Sequence, residues 1–271
     1  MVSAELVAIH RYPVKGLSPE PLETIELEAG AWFPGDRLHA VENGPSGFDP
    51  AHPEYKQKTA FLVLMRDAKL AALRTRYDAA TSTLTITQDG ETRASGDLST
   101  ADGRAAIEGF LTDYMGAEAR GALKLLTSPA GHRFTDSLRA GFVSLLNLAS
   151  VRDLEAKMSA TIDPLRFRMN LHLDGWAAGS ELDLVGRRLA VGDTVRLQVL
   201  KRTERCAATN VNPQTAARDL NVVKGLMQAY GHTDCGIYAK VVTGGRIAVG
   251  DVLRVLDGAP APKADAQPRL L

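Results

Sequence analysis

Two stretches decide how the chain folds: Arg188-Leu189-Ala190-Val191-Gly192-Asp193-Thr194-Val195-Arg196-Leu197 and Arg246-Ile247-Ala248-Val249-Gly250-Asp251-Val252-Leu253-Arg254-Val255. They are near-copies of one another. Each reads as an apolar strand, a Gly-Asp turn and a second apolar strand. Two copies do not make a solenoid. They predict two hairpins of a mostly antiparallel β-barrel. The apolar run at 237–242 and the strand at 195–200 support the same reading of the C-terminal half.

Upstream, strands continue to dominate. Leu6-Val7-Ala8-Ile9 leads into Tyr12-Pro13. Residues 22–27 mix apolar and acidic side chains. Thr83-Leu84-Thr85-Ile86-Thr87 alternates with period two and runs into Asp89-Gly90, a hairpin signal. Residues 45–53 form a polar loop with three prolines. Residues 60–76 are expected to be helical, although the short apolar run at 60–65 within them fits a buried strand as well as a helix segment, and 101–115 form an amphipathic helix with Ile107, Phe110, Leu111 and Tyr114 spaced by three and four. Ser150, with Asp153 three positions on, is expected to cap a further helix. The class is strand-dominated α+β in two parts. The expected divisions are 1–122, 123–257 and an Ala- and Pro-rich tail over 258–271, expected to be flexible or extended.

The chain has 271 residues, with 32 Lys and Arg against 32 Asp and Glu. A zero balance argues against general binding to nucleic acid or to an anionic membrane. No run of apolar residues is long enough to span a bilayer, and the first residues do not read as a signal peptide. A cytoplasmic protein with reduced thiols is therefore expected. Its two cysteines, Cys206 and Cys235, are too few for a disulfide framework, a four-cysteine iron–sulfur cluster or a four-cysteine zinc site. No dinucleotide fingerprint, Walker A motif or nucleophile elbow occurs.

The chemistry-bearing residues gather in a few short motifs. Lys201-Arg202-Thr203-Glu204-Arg205-Cys206 puts three cations before a cysteine, and cations stabilise a thiolate. Thr209, Asn210 and Asn212-Pro213 follow as turn residues. Val14-Lys15-Gly16 places a lysine at a strand end beside a glycine, a bend that suits an anionic phosphate. Gly35-Asp36-Arg37 places a second cation at a turn. Arg166-Phe167-Arg168-Met169-Asn170 reads as a strand with Arg166, Arg168 and Asn170 on one face. Cys206, Cys235, His232 and Asp234 leave a zinc site open as an alternative, although their spacing is not that of a zinc finger.

Taken in order, these motifs resemble the MOSC family, named for the C-terminal domain of molybdenum cofactor sulfurase, in its two-domain form. The pieces that carry the resemblance are Tyr12-Pro13-Val14-Lys15-Gly16, Gly35-Asp36-Arg37, the run from Asn147 to Leu154, the Arg166 to Asn170 run, Arg205-Cys206 with Thr209 to Pro213, and Asp234-Cys235-Gly236. The resemblance implies a MOSC β-barrel core behind an N-terminal MOSC β-barrel domain. It implies a molybdenum cofactor, with Cys206 as metal ligand and catalytic residue. It assigns Lys15, Arg37, Asn147, Arg168, Asn170, Arg205 and Thr209 to cofactor binding. The implied activity is reduction of small N- or S-oxygenated compounds, with electrons from a separate electron-transfer protein. Two alternatives are a sulfur carrier using a Cys206 persulfide and a non-catalytic ligand-binding barrel. The sulfurase's pyridoxal-phosphate domain is not expected at this length. Gly16 and Glu204 depart from the serines common at those places.

Overall fold

The computed structural model describes residues 3–135 and 142–256; the tail expected over 258–271 lies outside them. Fifteen strands and three α-helices are present among the described residues. The first strand, β1 (Ser3–Arg11), is followed by β2 (Glu20–Leu22), β3 (Thr24–Leu27) and β4 (His39–Asn43). Then come β5 (Arg74–Asp78), β6 (Thr83–Gln88), β7 (Glu91–Asp97), α1 (Ala101–Met115) and β8 (Leu123–Thr127). The second half holds β9 (Phe142–Asn147), α2 (Leu148–Met158), β10 (Leu171–Asp174), β11 (Arg188–Val191) and β12 (Val195–Glu204). It ends with α3 (Val222–Tyr230), β13 (Asp234–Thr243), β14 (Gly245–Ala248) and β15 (Val252–Val255).

A closed seven-stranded barrel runs β10-β9-β13-β12-β11-β15-β1 and returns to β10, with β2 attached outside it. Closure removes free strand edges. Every pairing in the ring is antiparallel except β9 with β10. Leu6, Leu145, Leu171, Leu197, Ile237 and Leu253 fill its interior. The N-terminal strand thus closes a barrel otherwise built from the second half of the chain.

The predicted hairpins fare differently. Around Gly192-Asp193 the hairpin forms, with Val191 opposite Val195. The second copy does not fold as a hairpin: β14 pairs with β3, whereas β15 pairs with β11 and β1. Both strands find longer-range partners, which the local pattern does not encode. The turn at Asp89-Gly90 is as read, with both residues at positive φ between β6 and β7.

The other unit sets the sheet β5-β6-β7 and the pair β4-β8 around α1. A methyl group at Gly96 would lie 2.1 Å from the Gly103 carbonyl oxygen, so α1 crosses β7 where only glycines fit. The β4-β8 pair ties 123–127 to the first half.

The helix expected over 60–76 is absent. Short 3₁₀ segments at Lys58–Ala60 and Ala68–Ala72 flank an extended stretch over 61–63 and a turn over 64–66, and β5 starts at Arg74. Phe61 and Val63 enter one apolar cluster, and Leu62 and Leu64 enter another. That period of two suits extended chain between two cores, not a helix. Ser150 is not the helix cap. Asn147 caps α2, and the Ser150 hydroxyl donates to Glu181 inside the first turn.

Candidate functional site

β12 and β13 carry bulges between Val199 and Lys201 and between Arg202 and Glu204 on the β12 side. Their long pairing delivers Lys201 to Glu204, and then Cys206, to the wall of a cleft of about 480 Å³. That volume is in the usual range for small-molecule sites, about 300–1,000 Å³. Among the described lining residues, eight are Lys or Arg and three are Asp or Glu, so the cleft is strongly cationic in a chain of zero net charge.

Cys206, partly exposed, precedes the 3₁₀ turn Ala207–Asn210. The Thr209 backbone N–H and hydroxyl both donate to the Cys206 carbonyl, at 3.0 and 2.9 Å. Arg166 holds the turn from beneath: its guanidinium donates to the Asn210 carbonyl at 3.1 Å and pairs with Asp219 at 2.6 Å. Arg218 donates to Ala207 and to the carbonyls of Leu64 and Met65, which ties the cysteine loop to the first half of the chain.

The opposite wall is organised by Asp36. Its Oδ1 accepts from the Tyr12 backbone N–H at 2.8 Å and from Asn170 at 3.1 Å, while Oδ2 accepts from Arg37. Arg37 and Arg168 both stand over the Tyr12 ring, with guanidinium carbons 4.5 and 4.4 Å from its centroid. Arg37 also donates to the Arg168 carbonyl at 2.9 Å, and Arg168 to the Leu17 carbonyl at 2.7 Å. Burial draws the Arg37 guanidinium down, but Asp36, with help from Tyr12 and Tyr238, leaves it above its ordinary value. Burial pushes the Tyr12 hydroxyl up to about 12, against the pull of Arg168 and Arg37. Lys15 is buried and donates to the Phe134 carbonyl at 3.1 Å.

Lys15, Arg37, Arg168, Asn170, Arg205, Cys206 and Thr209 therefore line one cleft. Asn147 does not. Its amide donates to the Ala177 carbonyl and to Glu181, and its oxygen caps α2, so its polar atoms are engaged away from the cleft. Asn170 and Arg205 reach the cleft wall with their polar groups already engaged. Asn170 accepts from Ser144 and donates to His10 and Asp36. The three guanidinium nitrogens of Arg205 reach the Cys235 and Phe167 carbonyls and the Met169 sulfur.

The strand expected over 166–170 is instead a 3₁₀ turn, Pro164–Phe167, ending in left-handed Arg168. That bend sends Arg166 towards the cysteine loop and Arg168 towards Tyr12. Arg202 turns to the Leu182 carbonyl and Asp183. Sequence reasoning gave no role to Tyr12 or Asp36, although both stand inside motifs it singled out.

Cys235 is buried among Leu146, Phe167 and Val222, and burial pushes its thiol up to about 12. Among the described residues no group of three or more His, Cys, Asp and Glu side chains is placed to hold a metal ion. The zinc alternative is thus not assembled from Cys206, Cys235, His232 and Asp234. Gly16 has a physical reason: at φ +84°, a Cβ there would lie 2.4 Å from the Leu62 carbonyl oxygen. No described helix is long and apolar enough to cross a membrane.

The profile described as the MOSC N-terminal beta barrel domain matches residues 3–127, and the MOSC domain profile matches residues 137–254. The chain belongs to the MOSC family. This family is associated with binding of the molybdenum cofactor. Among solved structures, YuaD from Bacillus subtilis matches at 11% identity and TM-score 0.43, covering 93% of this chain and 94% of that one. YiiM from Geobacillus stearothermophilus matches at 19% identity and TM-score 0.33, over 49% of this chain and 67% of that one. YiiM from Escherichia coli matches at 18% and 0.30, over 46% and 67%. No curated protein matches the sequence.

The residues present fit the cofactor the family implies. Its phosphate and its metal need cations and a soft ligand, and the cleft offers Lys15, Arg37, Arg168 and the thiol of Cys206. Thr203, buried on the cleft wall, also has a hydroxyl without a partner among the described residues. A polar ligand would satisfy it.

Proposed function

We propose that this protein is a molybdenum-cofactor-dependent reductase that removes oxygen from small N-hydroxylated or other N- or S-oxygenated compounds. The observation that carries this reading is Cys206, partly exposed on the wall of a cleft where cations outnumber acids. Cys206 would ligate the metal, and Lys15, Arg37 and Arg168 would neutralise the phosphate. When bound, the cofactor supplies two-electron oxygen-atom transfer chemistry.

The protein's own contribution is positional. Arg166 and Thr209 hold the Cys206 carbonyl and the turn behind it, which restricts the thiol to the cleft wall. Asp36 orients Arg37 and keeps its charge in a partly buried setting, where its attraction for an anion is screened less than at the surface. The two cysteines of this chain do not supply an iron–sulfur cluster, so a separate electron donor completes the cycle in this reading.

The test is elemental and pterin analysis of protein made in a host that synthesises the cofactor. Molybdenum and pterin should co-purify with it, and Cys206→Ala should abolish turnover of an amidoxime or hydroxylamine with a reduced dye. Absence of both from protein made in such a host would overturn the reading. A transferable persulfide on Cys206 without such turnover would favour sulfur transfer instead.

A further inference from the structure

A second cavity, of about 170 Å³, adjoins the cationic cleft: Trp32, Phe134 and Thr135 line both. Its walls are aromatic. Phe48 and Phe61 stand 5.0 and 5.4 Å from the Phe134 ring, and His132 packs 5.2 Å from both Phe48 and Phe134. These are the separations of packed ring pairs, and such faces favour a further planar ring. The volume suits one: an apolar cavity of about 150 Å³ accommodates benzene.

The same wall carries two unused donors. The Trp32 Nε1 and Arg133 Nε atoms are buried, and neither has a hydrogen-bond partner among the described residues. A buried donor left unpaired carries a free-energy cost. A ligand bearing an acceptor beside its ring would relieve that cost, and a carboxylate would also meet the Arg133 charge. Glu54 also lines the cavity, but it is paired with Lys56 at 3.4 Å. Burial lowers the His132 imidazole below its ordinary value, so it adds ring surface without charge near neutral pH.

We propose that this cavity is a subsite for a single planar aromatic ring carrying an anionic acceptor, the end of the ligand remote from Cys206. Calling that ligand a substrate rests on the proposed reductase function; the binding site itself does not. Lys15 links the two cavities structurally, because its ammonium in the cleft is bonded to the carbonyl of Phe134 in the shared wall.

The test is calorimetric titration of the full chain with benzoate, which requires neither molybdenum nor turnover. Benzoate should bind saturably, more tightly than cyclohexanecarboxylate, and excess inorganic phosphate should not displace it. Phe48→Ala, outside the cationic cleft, should weaken benzoate roughly three- to tenfold. Arg133→Met should weaken it roughly tenfold or more while leaving toluene binding unchanged. Should Phe48→Ala unfold the protein, Phe48→Leu serves in its place. Displacement by phosphate, or indifference of benzoate to both the Phe48 and Arg133 substitutions, would place the anion in the cleft and overturn the proposal. A protein that binds benzoate in this way but carries no molybdenum would retain the subsite and lose the reductase.

Discussion

Replacing Asp36 by Asn should lower stability and raise anion affinity at once. In the native protein Asp36 accepts from Tyr12, Asn170 and Arg37, and its side chain is only 9% exposed. Asn preserves the acceptor towards Tyr12 and Asn170 but removes the charge opposite Arg37. Removing one partner of a buried pair costs about 3–5 kcal/mol. The retained hydrogen bonds and the 17% exposure of the Arg37 side chain place Asp36→Asn at about 2–3 kcal/mol. In a chain of this size each kcal/mol shifts the melting temperature by about 2–4 °C, so a drop of roughly 4–12 °C is expected.

The same substitution removes a negative charge from a cleft lined by eight cationic side chains. Inorganic phosphate should then bind roughly five- to tenfold tighter, since a charge at this range is worth about 1 kcal/mol or more in a partly desolvated setting. Scanning calorimetry with increasing phosphate reads both effects, because a ligand of the folded state raises the melting temperature with the logarithm of its concentration relative to Kd. Asp36→Asn should start lower and gain more from phosphate than the parent. A melting temperature within about 2 °C of the parent, or a smaller gain from phosphate, would refute the role given to Asp36.

Two further outcomes follow from local geometry and burial. Gly16→Ser should cost about 2 kcal/mol or more in urea unfolding, because φ is +84° and the new Cβ would meet the Leu62 carbonyl. An unchanged midpoint would show that this turn relaxes freely. Burial lowers His172 to about 3 and His39 to about 4, so the unfolded chain binds more protons than the native one below about pH 6.5. Stability should therefore fall on acidification from that pH, by about 1.4 kcal/mol per pH unit for each histidine until its native value is reached. In urea titrations across this range, His172→Leu should remove one histidine's share of the slope; an unaltered slope would show that His172 is not held neutral.

Much of the fold was legible in local pattern. The Asp89-Gly90 and Gly192-Asp193 hairpins and helix α1 depend on turn chemistry and periodicity within a few residues. The run at 61–64 fits a buried strand as well as a helix when read from sequence, because every one of its residues is apolar. Only the two separate clusters that receive them reveal the alternation. The cluster of cations around Cys206 was readable as a set of motifs, but their individual duties were not. Asn147, Asn170 and Arg205 are all polar residues in motif positions, and all three spend their hydrogen bonds on the protein's own backbone or side chains.

The sequence by itself determined the residue types, the turns that present them and the strand-rich class, since these follow from neighbours along the chain. Tertiary structure decided which of those residues share a cleft and what each has left to offer a ligand. Lys15 finds the Phe134 carbonyl 119 residues away, and Arg37 finds the Arg168 carbonyl 131 residues away. It also decided that the first strand closes a barrel built by the second half of the chain. Hydrogen bonds and barrel closure select partners by proximity in space, and no local periodicity encodes that selection.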